Sequence, residues 1–447
     1  MSSDLIIRGG LIVRVDSAEI GDLVIDAGKI VEAGPSVSGV SRAEIDATGL
    51  TIFPGLIDSH VHFNEPGRTE WEGIASGSAA LVAGGGTCFF DMPLNSSPPV
   101  LDAESFDLKL AAANAKSLTD FGLWGGLVPG NLDRLEELAE RGVVGFKAFM
   151  SNSGIADFQS VDDLSLYRGM QKAKALGLLV AVHAESESIT SALTAEMLAA
   201  GRTDITAYLE SRPMVAETEA IERAILLAEE TGCRLHIVHV STPRGVELVH
   251  RAAARGGDFT CETCPHYLVL NRHDVERLGA AAKCAPPLRS SDINDGLWTA
   301  MSAGKIRFVA SDHSPSPPEM KTSENFFKVW GGIAGVQSTL PILLSRVPRL
   351  PLPLVGRLIA SNVADRFQIA GKGRIDVGMN ADLVLVQPNQ SFKLKREDLL
   401  DRHKLSPYVG RTFHGVIKKT VLRGSVVFED GRIVAENGGR LIKPVRR

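Results

Sequence analysis

The feature that most constrains the fold is an alternation. From about residue 51 to 371, short apolar runs of strand-forming residues take turns with stretches of helical character. The runs lie at 50–62, 86–93, 121–128, 143–150, 178–183, 234–240, 258–265 and 306–313, with helical spacers such as 215–231 and 244–255. Parallel strands need crossover helices, and strands covered on both faces read as continuous apolar runs. Eight such units predict an α/β fold, a (β/α)8 TIM barrel. The rival is a doubly wound open sheet. No Gly-x-Gly-x-x-Gly opens a first helix, so a dinucleotide-binding sheet has little support. Gly84-Gly85-Gly86 stands before a strand rather than after one and reads as a turn.

The chain ends have a different texture. Residues 5–13 and 23–31 are strand-like and broken by glycine, and 382–386 and 421–434 repeat the pattern. Asp430-Gly431 is a hairpin signal. Neither end is large enough to bury a core alone. The expectation is one small β-sandwich composed of 1–51 and 372–447, beside a barrel over 52–371.

Composition narrows the partners. The 447-residue chain has a formal charge of −5, which gives no footing for nucleic acid or an anionic membrane. Its one basic cluster, 440–447, reads as a frayed, solvated end. No apolar run reaches membrane-spanning length. The opening MSSDLIIRGG has acidic Asp4 and no basic leader. Five scattered cysteines suit free thiols in a reducing cytoplasm. Cys261 and Cys264 form a lone Cys-x-x-Cys, read as structural.

Barrel active sites gather at the C-terminal ends of the strands. His60 and His62 end the first run, one residue apart and so on one face of a strand. Lys147 ends the fourth, His183 the fifth, His239 the sixth and Asp312 the eighth. Singly, each has a bland explanation: a bonded rim histidine, a lysine stem on apolar surface, a helix-capping aspartate. Together at one rim they point to a metal centre. A protonated amine repels a cation, so the lysine needs a further step. Burial among Phe146, Ala148 and Phe149 favours neutral Lys147, which can take up carbon dioxide as a carbamate and bridge two divalent ions. Such ions acidify water, and Asp312 can move its proton to a leaving nitrogen. Zinc is the first choice, with cobalt, manganese, nickel or iron as alternatives. His236, three residues before His239, is expected on the opposite strand face. His313 is expected to point away from Asp312. His266, His273, His403 and His414 read as structural.

PGLIDSHVH at 54–62, followed in order by Lys147, His183, His239 and Asp312, resembles the amidohydrolase superfamily. The likeness is to its cyclic-amidase branch of dihydroorotases, hydantoinases or dihydropyrimidinases, and allantoinases, and it spans nearly the whole chain. It implies that His60 and His62 hold the more buried ion, that carboxylated Lys147 bridges, that His183 and His239 hold the second ion, and that Asp312 is the acid/base. Dihydroorotases carry arginine at the position of Asn64, where it pairs with a substrate carboxylate. Hydantoinases usually place a tyrosine just beyond the lysine, and FMSNSG at 149–154 has none. NEPGRTEWEG at 64–73, MPLNS at 92–96, KCAPPLR at 283–289 and WGGIAGVQ at 330–337 resemble the allantoinase group. That implies ring opening of a small-molecule substrate, allantoin, to allantoate, by a homotetramer or dimer. Asn95 is the first substrate-contact candidate, and it suits a turn cap equally well. Asn64, Cys284 and Ser314 are further candidates. Non-catalytic scaffold relatives lose their ligands, whereas this chain keeps the set.

Overall fold

The computed structural model describes residues 3–445. Both chain ends meet in one nine-stranded sheet. The decisive pairing is antiparallel, between Thr51–Pro54 and the start of Leu383–Lys393. Ser3–Val13 runs alongside Thr51–Pro54, and Thr412–Leu422 runs alongside Leu383–Lys393. Ser425–Glu429 and Arg432–Ile433 close on the Asp430-Gly431 turn, as the hairpin signal predicts.

The eight interior runs form parallel strands. Leu56–Val61, Gly86–Asp91 and Asp120–Leu123 make one sheet of three. Gly125–Gly126, Phe146–Phe149, Leu179–His183, Arg234–Ile237, Phe259–Thr263 and Phe308–Val309 make a sheet of six. The third run contributes to both, on either side of Trp124. Val61 pairs in parallel with His313 just beyond the eighth strand, so the order returns to the first. Every residue of Leu56–Val61, Gly86–Asp91 and Leu179–His183 is buried, which is why these strands read as unbroken apolar runs.

Helices fill the crossovers. Pro243–Ala254 starts where Thr242 caps the Gly245 amide and proline takes the first turn, a pairing that costs no needed donor. Buried Glu217, on helix Met214–Thr231, accepts from Ser241 N at 2.6 Å and Ser241 Oγ at 2.8 Å. It fixes the loop that follows His239.

Two expectations need correction. The run at 50–62 is not one strand: Thr51–Pro54 belongs to the terminal sheet and Leu56–Val61 to the interior. Its apolar residues are buried in both places, so composition could not reveal the break at Gly55. The basic tail is also less free than charge alone suggests. Phe121 N donates to Arg440 O at 3.0 Å and Ile442 N donates to Phe121 O at 2.8 Å, so backbone pairing holds the segment against the core. Its last two residues lie outside the described part.

Candidate metal centre

His60, on the first interior strand, directs Nε2 to Asp312 Oδ1 at 3.2 Å, and His62 directs Nε2 to the same oxygen at 3.5 Å. Burial pulls the His62 imidazole pKa down, toward the neutral form a metal needs. Burial alone would raise the Asp312 carboxyl, but His60 and His62 outweigh it and hold it at about 2.

Lys147 stands on the fourth strand, fully buried, and its Nζ has no hydrogen-bond partner. Its nitrogen lies 4.9 Å from the centre of the Phe149 ring. Burial lowers its pKa to about 7, so the neutral amine is accessible at ordinary pH. The other face of this group is histidine. His183 stacks on Phe149 with ring centres 4.6 Å apart, and His183 Nδ1 lies 3.0 Å from His239 Nε2. Burial, reinforced by His183 and Lys147, pushes His239 well below the ordinary histidine range.

These distances suit cations. Tetrahedral ligands about 2.0–2.1 Å from zinc stand roughly 3.3 Å from one another. The 3.0, 3.2 and 3.5 Å separations here bracket that edge. Lys147 Nζ is a buried polar atom without a partner, the kind of orphan that an unassigned ligand explains. A second grouping brings Cys264 and His266 within reach of Asp312, so His266 lies closer to the centre than its structural reading suggested.

Backbone strain collects at the same place. Among the described residues, nine that are not glycine have positive φ, and four of them are Asn64 (63°), Asn95 (65°), His239 (39°) and Asp312 (46°). Such conformations cost energy and persist where the surroundings enforce them, most often at functional sites.

Sequence reasoning missed the layer beneath. Glu262, on the seventh strand, accepts from Ser59 Oγ at 3.0 Å and bonds His60 Nδ1 at 2.7 Å and His236 Nε2 at 3.1 Å. Burial would raise its pKa, but His236 and His60 hold it below the usual carboxylate range. His236 therefore faces the interior, not away from the site. The strand ends at Ile237 and His239 turns into positive φ, so the two-residue alternation no longer relates the two histidines. Glu185, two residues beyond His183, bonds His183 Nε2 at 2.9 Å and pairs with Arg212. Burial would raise its pKa too, yet Arg212 and His183 bring it to about 2. A carboxylate inside an apolar strand run was the available signal for Glu262. His313 does point away from Asp312: its Nδ1 accepts from Gly335 N at 3.1 Å and its Nε2 faces Glu72.

The four substrate candidates differ. Asn64 is fully buried, its Nδ2 facing Pro315 O at 3.5 Å and its Oδ1 unpartnered. Asn95 is buried, and its carbonyl accepts from Arg68 at 2.9 Å. The Cys284 carbonyl accepts from Tyr208 at 2.9 Å, and Ser314 N donates to Ile333 O at 3.0 Å. Ser151 and Ser316 are buried hydroxyls without partners, and neither was anticipated. Arg212, Lys283 and Trp330 line a neighbouring cavity of about 610 Å³.

The Amidohydrolase family model matches residues 51–427. The chain belongs to the amidohydrolase family. This amidohydrolase is 56% identical over 446 residues to an allantoinase of Rubrobacter xylanophilus, covering 99% of this chain and 98% of that one. An allantoinase of Deinococcus radiodurans is 50% identical, over 99% of each chain. Among solved structures, an L-hydantoinase (dihydropyrimidinase) from Arthrobacter aurescens superposes with a TM-score of 0.96 at 35% identity, covering 99% of this chain and 100% of that one. No helix among the described residues is long and apolar enough to cross a membrane.

Proposed function

We propose that this amidohydrolase opens the hydantoin ring of allantoin to give allantoate, using two divalent ions. The observation that carries this reading is the convergence of His60, His62 and Asp312 opposite His183, His239 and unpartnered Lys147. The allantoinase relatives at 50–56% identity support the choice of ring. We take the interior strands as a (β/α)8 barrel over about 52–371. The small β-sandwich domain then comprises 1–51 and 372–447, extended to Pro54 by the strand pairing.

His60 and His62 would hold one ion and His183 and His239 the other, with carboxylated Lys147 between them and Asp312 on the first. Zinc fits nitrogen and carboxylate donors, as do cobalt, manganese, nickel and iron. Such ions supply Lewis-acid chemistry, polarising a carbonyl and acidifying water. The protein's own groups do the rest. Asp312 stays ionised, so it can accept a proton from the attacking water and return it to the ring nitrogen as the amide C–N bond breaks. Asn64 Oδ1 needs a donor, and a ring N–H provides one. Buried walls exclude bulk water and strengthen each of these contacts. A dimer or tetramer in the cytoplasm is the accompanying expectation.

The test is turnover by full-length protein reconstituted with metal and bicarbonate. Allantoin, hydantoin, dihydrouracil and dihydroorotate are compared, with a chelated control. Preference for allantoin, lost on chelation, is expected. Preference for hydantoin or dihydrouracil would keep the chemistry and overturn the substrate, which the hydantoinase-like structure makes the arm to watch. Two bound ions with no turnover of any of the four would overturn the ring class.

A further inference from the structure

His60 and His183 turn different ring nitrogens toward the centre. His60 presents Nε2, 3.2 Å from Asp312 Oδ1, and gives Nδ1 to Glu262 at 2.7 Å. His183 presents Nδ1, 3.0 Å from His239 Nε2, and gives Nε2 to Glu185 at 2.9 Å. A neutral imidazole carries one ring proton, and only the bare nitrogen can bind a metal. At His183 only Nε2 faces an ionised carboxylate, which can only accept, so that nitrogen carries the proton. His60 faces carboxylates with both nitrogens, and an ion bound beside Asp312 would take Nε2 and leave the proton on Nδ1 for Glu262. The two glutamates therefore select opposite tautomers.

We propose that Glu262 and Glu185 are positioning residues, one for each half of the metal centre. Glu262 holds His60 as the Nδ1–H tautomer with Nε2 free for one ion. Glu185 holds His183 as the Nε2–H tautomer with Nδ1 free for the other. The proposal rests on the metal-centre reading given above.

Each carboxylate has at least one further partner besides its histidine. Glu262 is also held by Ser59 and by His236, whose own Nδ1 bonds Thr260 Oγ1 at 2.8 Å and whose ring stacks on Phe308 with centres 4.9 Å apart. Glu185 is held by Arg212, which reaches it from the wall of the neighbouring cavity. In each histidine pair, one member is fixed by charge and its mate is not. His62 Nδ1 faces only the Leu94 carbonyl at 3.5 Å, and His239 Nδ1 has no partner. Carboxylates of this kind orient metal-binding imidazoles and raise their basicity, and removing one typically costs about 10- to 100-fold in metal affinity.

The first measurement is zinc affinity, by chelator competition, on the full-length wild type and on Glu262→Gln and Glu185→Gln. Glutamine keeps the size but can turn its NH2 toward the ring and favour the wrong tautomer. Two ions are expected in the wild type. Each variant is expected to weaken one of them by about 10- to 100-fold and leave the other unchanged. Wild-type affinity for both ions in both variants would overturn the proposal. The second measurement needs no glutamate variant: histidine 15N shifts in zinc-loaded wild type, with His60→Asn and His183→Asn assigning the signals. Opposite tautomers at His60 and His183 are expected, and a shared tautomer overturns the proposal even if the glutamine variants do not fold. A wild type that binds no zinc would sink the metal-centre reading, while the tautomer of His183 in metal-free protein, Nε2–H if Glu185 positions it and Nδ1–H if not, would still decide the role of that glutamate.

Discussion

Asp312 keeps its charge despite burial because His60 and His62 face it. An Asp312→Asn variant should therefore retain metal, measured by elemental analysis, and lose turnover by at least about 100-fold. Wild-type-like turnover would remove Asp312 from the proton path. Lys147→Ala should lose one ion per chain and regain part of its activity with acetate or propionate, which can stand where the carbamate would. Full metal content without rescue would count against a bridging lysine. The buried lysines also set a pH dependence. Lys147, Lys283 and Lys321 all have pKa values brought down to about 7 by burial, against an ordinary 10.5. Between those values the unfolded chain binds protons that the folded chain does not, so stability rises with pH. Above about pH 9 the sign reverses, because five buried thiols, Cys88 and Cys264 among them with pKa values pushed well up by burial, outnumber the three lysines. Burial lifts the thiols of Cys233, Cys261 and Cys284 from 9.0 to about 12, so there the folded chain holds protons the unfolded one has lost. The melting temperature of metal-free protein should rise from pH 7 to 9 and turn over beyond it. A steady fall across pH 7 to 9 would contradict burial of the neutral amines.

Among the elements, strand ends were the most readable part of the molecule. A strand covered on both faces has few polar residues, so a histidine, lysine or aspartate near its end stands out, and each of the six proposed ligands was singled out in this way. Loops were less readable because their geometry depends on what they touch. The segment after Asp312 is an example. Gly332 has φ 151°, and a β-carbon there would lie 2.2 Å from the Ser314 carbonyl. Only glycine fits that approach without displacing backbone next to Asp312. Gly332→Ala should cost about 1–3 kcal/mol of stability, read from the denaturant midpoint, and should lower kcat as the Asp312 loop shifts. A variant with wild-type stability would mean the loop adapts freely.

At the scale of the whole molecule, the terminal sheet is bolted to the interior by a buried ion cluster. Lys372 Nζ lies 2.8 Å from Asp120 Oδ2 and 2.5 Å from Asp382 Oδ2, and Arg423 also pairs with Asp120. Asp120 opens the third interior strand, while Asp382 and Arg423 flank strands of the terminal sheet. Lys372→Met leaves buried carboxylates short of a partner and should cost about 3–5 kcal/mol, measured by denaturant unfolding. A loss below about 1 kcal/mol would mean that Arg423 alone neutralises the cluster. Local periodicity by itself determined the alternation of strands and helices, the β-character of the two ends, and the placement of His60, His62, Lys147, His183, His239 and Asp312 near strand ends. These are properties of residues close in sequence, set by side-chain direction and apolar patterning. Only the tertiary structure decided that Glu262 would meet His60, 202 residues away, that Thr51–Pro54 would join Leu383–Lys393, and that Asn64 would be buried with an oxygen unpaired. Such contacts depend on which distant strands become neighbours, and no local pattern encodes that.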